Sequence, residues 1–84
     1  MPTIAIVDGV AVVIYPNDHD PPHVHASYGE FECKLTIVGA RLMSGELPKA
    51  KLKLLRRWLV LHHREVSFAW DEIYSGRGYK GRIT

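Results

Sequence analysis

The sequence predicts an α+β domain: a small antiparallel sheet built from two hairpins, packed against one long or two shorter C-terminal helices. Three observations carry this reading. β-branched and alternating runs fill the first half and are punctuated by Asp8-Gly9 and Gly29-Glu30, two-residue turns of the hairpin kind. From Pro48 onward, apolar residues recur every three or four positions, the period of a helix that covers a core. The chain has 84 residues, 46% of them hydrophobic and 24% charged, which suits one small core and argues against disorder.

The first hairpin joins Thr3–Val7 to Val10–Tyr15. Asp8-Gly9 suits a type I′ turn, in which both central residues take positive φ. The register then sets Val7 opposite Val10, Ala5 opposite Val12 and Thr3 opposite Ile14. Both faces are apolar, so this hairpin is expected to lie centrally or to be covered on both sides. Pro16 ends it, because proline cannot donate to a ladder.

The second hairpin joins His23–Tyr28 to Phe31–Val38 through Gly29-Glu30, a type II′ pattern. Pairing Tyr28 with Phe31 places Ala26 opposite Cys33 and Val24 opposite Leu35 on one apolar face. Ser27 then meets Glu32, His25 meets Lys34 and His23 meets Thr36 on a polar face. That segregation makes the register self-consistent. Gly39-Ala40 offers a further turn, and Arg41–Met43 a short fifth strand.

Leu47-Pro48 opens a helix running to about His63, with proline at the first helical position. Leu47, Ala50, Leu54, Trp58 and Leu61 form the expected core row, flanked by Leu52, Leu55, Leu59 and Val66. Lys49, Lys53, Arg56, Arg57 and Arg64 form a cationic face, either solvated or contacting nucleic acid or a partner protein. A second helical stretch covers Glu65–Tyr74, and periodicity leaves open whether the helix breaks near His62-His63. Residues 1–74 are read as the domain, and residues 75–84 as a flexible, basic, Gly-rich tail.

Charge divides the chain. Residues 1–47 carry a net −4 and residues 48–84 a net +6. The basic half suits RNA or an acidic partner, or pairs with the acidic half. The single cysteine, Cys33, excludes an internal disulfide and a cysteine-rich zinc site. No apolar run approaches the roughly 18 residues of a membrane span, and the first residues lack the basic segment of a signal peptide. A cytoplasmic protein is expected, with a homodimer among the assemblies considered.

Chemistry concentrates in Asn17–His25, which holds three of the five histidines. A turn needs the Asn, Asp and Pro residues found here; it does not need three imidazoles. Pro21 and Pro22 stiffen the bend. His23 and His25, two apart on a strand, project from one face. Histidine rings in such a segment cap the backbone, transfer protons, bind phosphate or hold a metal. Lys34 opposite His25 repels a cation and favours an anion, so no cofactor is expected. Zinc or another divalent ion held by His19, His23, His25 and Asp18 is the alternative.

Several motifs resemble a small bacterial family known as DUF4160, a domain of unknown function. They are Pro2-Thr3-Ile4, Asn17-Asp18-His19, Pro21-Pro22-His23-Val24-His25, Tyr28-Gly29-Glu30, Leu47-Pro48, Trp58-Leu59, Leu61-His62 and the Trp70 region. The resemblance covers roughly residues 2–74 and implies no catalytic residues. Val66-Ser67-Phe68 departs from the more acidic run expected there. The family implies a compact two-gene module beside a DUF2442-type protein, similar to a toxin and its antitoxin.

Three functions follow as expectations. The first is a toxin-like component of a type II toxin–antitoxin module, acting on RNA or translation through His19, His23, His25 and Lys34. The second is a non-catalytic binding module or antitoxin-like partner. The third is a small metal-dependent hydrolase that uses His19, His23 and His25.

Overall fold

The computed structural model describes residues 3–83. Pro2, part of the family resemblance, and Thr84, the end of the tail, lie outside them. The architecture is α+β. Five strands, β1 (Thr3–Val7), β2 (Val10–Val13), β3 (His23–Tyr28), β4 (Phe31–Thr36) and β5 (Leu42–Gly45), form one antiparallel sheet in the order β1-β2-β3-β4-β5. Helices α1 (Lys49–Leu61) and α2 (His63–Tyr74) follow.

Turn chemistry explains the hairpins. Asp8 and Gly9 both take positive φ, 50° and 82°, as a type I′ turn requires. Gly29 at φ 59° opens the second turn. All six predicted pairs between β3 and β4 are present, from His23↔Thr36 to Tyr28↔Phe31.

The first hairpin departs from expectation in three ways. Thr3 pairs with Val13 rather than Ile14, because the register shifts between Thr3 and Ala5. The irregularity turns both Ile4 and Ala5 into the interior, where strict alternation would bury one of them. The hairpin also sits at the sheet edge, with only one face covered by helices, and Ile6 is exposed. β2 ends at Val13 and β4 at Thr36, each two residues early, and β5 starts one residue later than predicted and runs to Gly45.

The covered face carries Val10, Val12, Val24, Ala26, Cys33 and Leu35, packed with Leu55, Leu59, Val66, Ala69, Trp70 and Ile73 of the helices. The expected core row on α1 is therefore rotated. Leu55 and Leu59 are buried, Leu52 and Trp58 are partly so, and Ala50, Leu54 and Leu61 face outward. Periodicity alone could not choose, because apolar residues occupy more than half of the helix circumference. Leu59→Ala is expected to cost about 2–5 kcal/mol of stability, and Leu61→Ala within about 0.5 kcal/mol. Urea titration of the two variants checks the orientation; equal midpoints would contradict it.

The helical segment breaks at His62, whose φ of −111° and ψ of 21° end α1 and open α2. Its ring packs against Trp58 at a tilt of 32°, with centroids 4.9 Å apart, and its Nδ1 lies 2.9 Å from Glu65 Oε1. The tail does not stand apart as its composition suggested. Ile83 is buried, its N–H donates to the Ile4 carbonyl at 2.8 Å, and Tyr79 packs beside Phe68.

Candidate metal centre and groove

Asp18, His23 and His25 converge. Their ligand atoms all lie within 4.8 Å of one another. The Pro21-Pro22 bend, with a cis Asp20-Pro21 bond, folds Asp18 back over the start of β3. His25 Nε2 is 2.9 Å from Asp18 Oδ2, and His23 Nε2 is 3.5 Å from the same oxygen.

The proton positions follow from the partners. A carbonyl oxygen only accepts, so His23 Nδ1–H donates to the Pro21 carbonyl at 2.8 Å. A neutral His23 then presents the Nε2 lone pair towards a carboxylate oxygen. Two acceptors face each other there, and either a proton or a metal cation between them relieves the repulsion. A backbone-anchored Nδ1 with Nε2 left free is also the arrangement of a ligating histidine.

Distances suit coordination. Bonds of about 2.1 Å set neighbouring donors about 3.0 Å apart at right angles and about 3.4 Å apart at the tetrahedral angle. The two Asp18 separations, 2.9 and 3.5 Å, bracket these values. The donor atoms span up to 4.8 Å, so the two imidazoles would have to close in for all three residues to bind one ion. Two histidines and one carboxylate leave positions open, as in catalytic rather than structural sites.

Packing holds the cluster. His23 is buried, with its ring centroid 5.6 Å from that of Trp70 on α2. Its burial is a departure from the polar face predicted for β3. Tyr15 meets the His25 ring edge-on at 4.5 Å. His25 itself is partly open and lines a groove of about 470 Å³ on the sheet face opposite the helices. Val13, Tyr15, Ser27, Glu32, Lys34 and Ser44 also line it. Burial pushes the Cys33 thiol above its ordinary pKa.

The structure brings some of the expected site residues together and holds others apart. His19 is exposed and is not among the converging ligands, so the three-histidine set becomes two histidines with Asp18. Lys49, Lys53, Arg56, Arg57 and Arg64 are exposed on the helices, and the helices pack on the other side of the sheet. Lys34 does lie opposite His25 and faces the groove. Sequence reasoning missed Trp70 and Tyr15 as contacts of the histidines, since no local pattern links them.

A family model described as a domain of unknown function (DUF4160) matches residues 9–71, three quarters of the chain. The chain belongs to the DUF4160 family. No curated protein and no solved structure matches it. The matched region of this DUF4160 chain contains all three converging residues, Lys34, the Gly29-Glu30 turn and Trp70. It leaves out all of β1, the end of α2 and the tail. Among the described residues, no helix is long and apolar enough to cross a membrane.

Proposed function

We propose that this DUF4160 protein is a small divalent-metal-dependent hydrolase of phosphodiesters, acting on single-stranded RNA as the toxin-like half of a two-component module. The observation that carries the reading is the convergence of Asp18, His23 and His25 within 4.8 Å beside an open groove. Asp18, His23 and His25 would hold the metal, which would supply an activated water at neutral pH. His25 faces the groove where a substrate would lie.

Magnitudes decide against the objection from Lys34. In water-like surroundings an ammonium on the neighbouring strand and a divalent ion repel by only about 1–2 kcal/mol. Well-formed zinc sites bind with about 10–16 kcal/mol. Lys34 therefore tunes the site without preventing coordination, and it attracts one phosphate. Glu32 beside it limits the total charge, so the groove suits a single phosphodiester unit rather than a duplex backbone.

The test is hydrolysis of a short single-stranded RNA by protein purified without a histidine tag, with and without zinc or manganese. Cleavage should require metal and vanish in Asp18→Ala. Expression of the wild-type chain in a bacterial host should slow growth, and a DUF2442-type partner should relieve it. Metal-independent cleavage that survives Asp18→Ala but not His25→Ala would favour metal-free acid–base chemistry by His25. Absence of both cleavage and growth inhibition would favour the binding-module reading.

A further inference from the structure

A second surface is set apart from the histidine cluster. Helix α1 contains Lys49, Lys51, Lys53, Arg56 and Arg57 and no acid. Lys51 is satisfied within the fold, since it donates to Asp8 Oδ2 at 2.9 Å and lies over the Tyr28 ring. The others are exposed. At the C-terminal end of α1 the surface turns aliphatic: Val60 is 63% exposed, Leu61 79%, and Val38 of the adjoining loop 75%.

Between the helix and that loop lies a depression of about 420 Å³, floored by Gly39 and Ala40 and walled by Arg56, Arg57, Val60 and Leu61. Arg56 Nε–H donates to the Ala40 carbonyl at 3.1 Å, which ties the loop to the helix beside the depression. Exposed large aliphatics grouped at a concave site are the mark of a docking surface; scattered single ones are not.

We infer that this depression docks an acidic amphipathic helix of a partner protein, with its aliphatic stripe on Val60 and Leu61 and its carboxylates towards Arg56, Arg57 and Lys53. Charge chooses the occupant. A second copy related by two-fold symmetry would set one acid-free cationic helix against another, and like charges across an interface are strongly disfavoured. Single-stranded nucleic acid would find cations here, but Val60 and Leu61 offer no aromatic platform for stacking. A helix with Leu at i, i+3, i+4 and i+7 and Glu elsewhere matches both the aliphatic strip and the cationic rim.

The inference stands on a surface that the hydrolase reading does not use. Its probe is a synthetic peptide of that Leu/Glu design, with a scrambled peptide of equal composition as control. The designed peptide should bind, weaken with added salt, and shift the amide resonances of Gly39, Ala40, Val60 and Leu61. Leu61→Asp should weaken binding by about tenfold or more while leaving the melting temperature unchanged. His23→Ala should bind the peptide as the parent does, so the two readings fail separately. Equal binding of the scrambled peptide overturns the proposal, as does binding indifferent to Leu61→Asp. So does displacement by an RNA oligonucleotide whose own binding ignores Leu61→Asp, or self-association of the parent that Leu61→Asp abolishes.

Discussion

Replacing His23 with alanine is expected to abolish stoichiometric metal binding, with a loss larger than the roughly 10–100-fold typical of removing an outer-shell partner. The reason lies in what His23 alone supplies. Its Nδ1 is anchored on the Pro21 carbonyl, and its Nε2 faces Asp18 at 3.5 Å. Without it, one imidazole and one carboxylate remain, and two donors hold a first-row cation poorly at low concentration. Elemental analysis of protein bearing no tag, together with calorimetric titration of zinc, checks the outcome. His19→Ala should retain the metal, since that ring is exposed and outside the cluster. His23 also packs against Trp70, so the alanine variant loses some stability too. His23→Gln, which keeps much of the volume, separates the effects: it should melt close to the parent and still fail to bind zinc. Retention of zinc by both His23 variants would remove the metal centre from consideration.

The second large effect is expected at Gly45. This residue ends β5 opposite Cys33, with φ at +78°, a region that other residues enter only with strain. A Cβ added there would overlap the carbonyl oxygen of Glu32 and lie 2.8 Å from Cys33 Cα. The carbonyl is not free to retreat, because it accepts the Glu46 N–H at 2.9 Å. Backbone strain of about 1–2 kcal/mol and overpacking of about 1–3 kcal/mol act together. Gly45→Ala is thus expected to lose about 2–5 kcal/mol, much of the roughly 4–13 kcal/mol that a domain of this size possesses. Gly29→Ala is the control. It also has positive φ, yet nothing lies within 4 Å of the added carbon, so strain alone applies and the loss should be about 1 kcal/mol. Paired urea titrations compare them, and equal losses would show that β5 does not lie as closely on β4 as described. Because Ser44 and Gly45 also line the groove, displaced β5 should open one wall of the candidate site.

Local chemistry made some of this protein legible in its sequence, and the structure shows where such chemistry stops. Asp8-Gly9 and Gly29-Glu30 specify their turns because positive φ is a property of the residues themselves, and the β3–β4 register follows from turn geometry and alternation. The α+β class and the prominence of His23 and His25 were readable for the same reason. Three things depended on elements distant in sequence. The register shift near Ile4 arises where the sheet edge meets the core and the returning Ile83, at the other end of the chain. The buried face of α1 was decided by what the sheet presents to it, since Leu54, Leu55, Leu59 and Leu61 are equally apolar and only Leu55 and Leu59 meet the strands. The ligand set was decided likewise. His19 and Asp18 are neighbours in sequence, yet the bend at Asp20-Pro21-Pro22 carries Asp18 onto β3 and leaves His19 in solvent, while Trp70 closes over His23 from the far end of the chain. Side-chain identity states which chemistry a residue can perform; only the path of the backbone brings the donor atoms within bonding distance of one point.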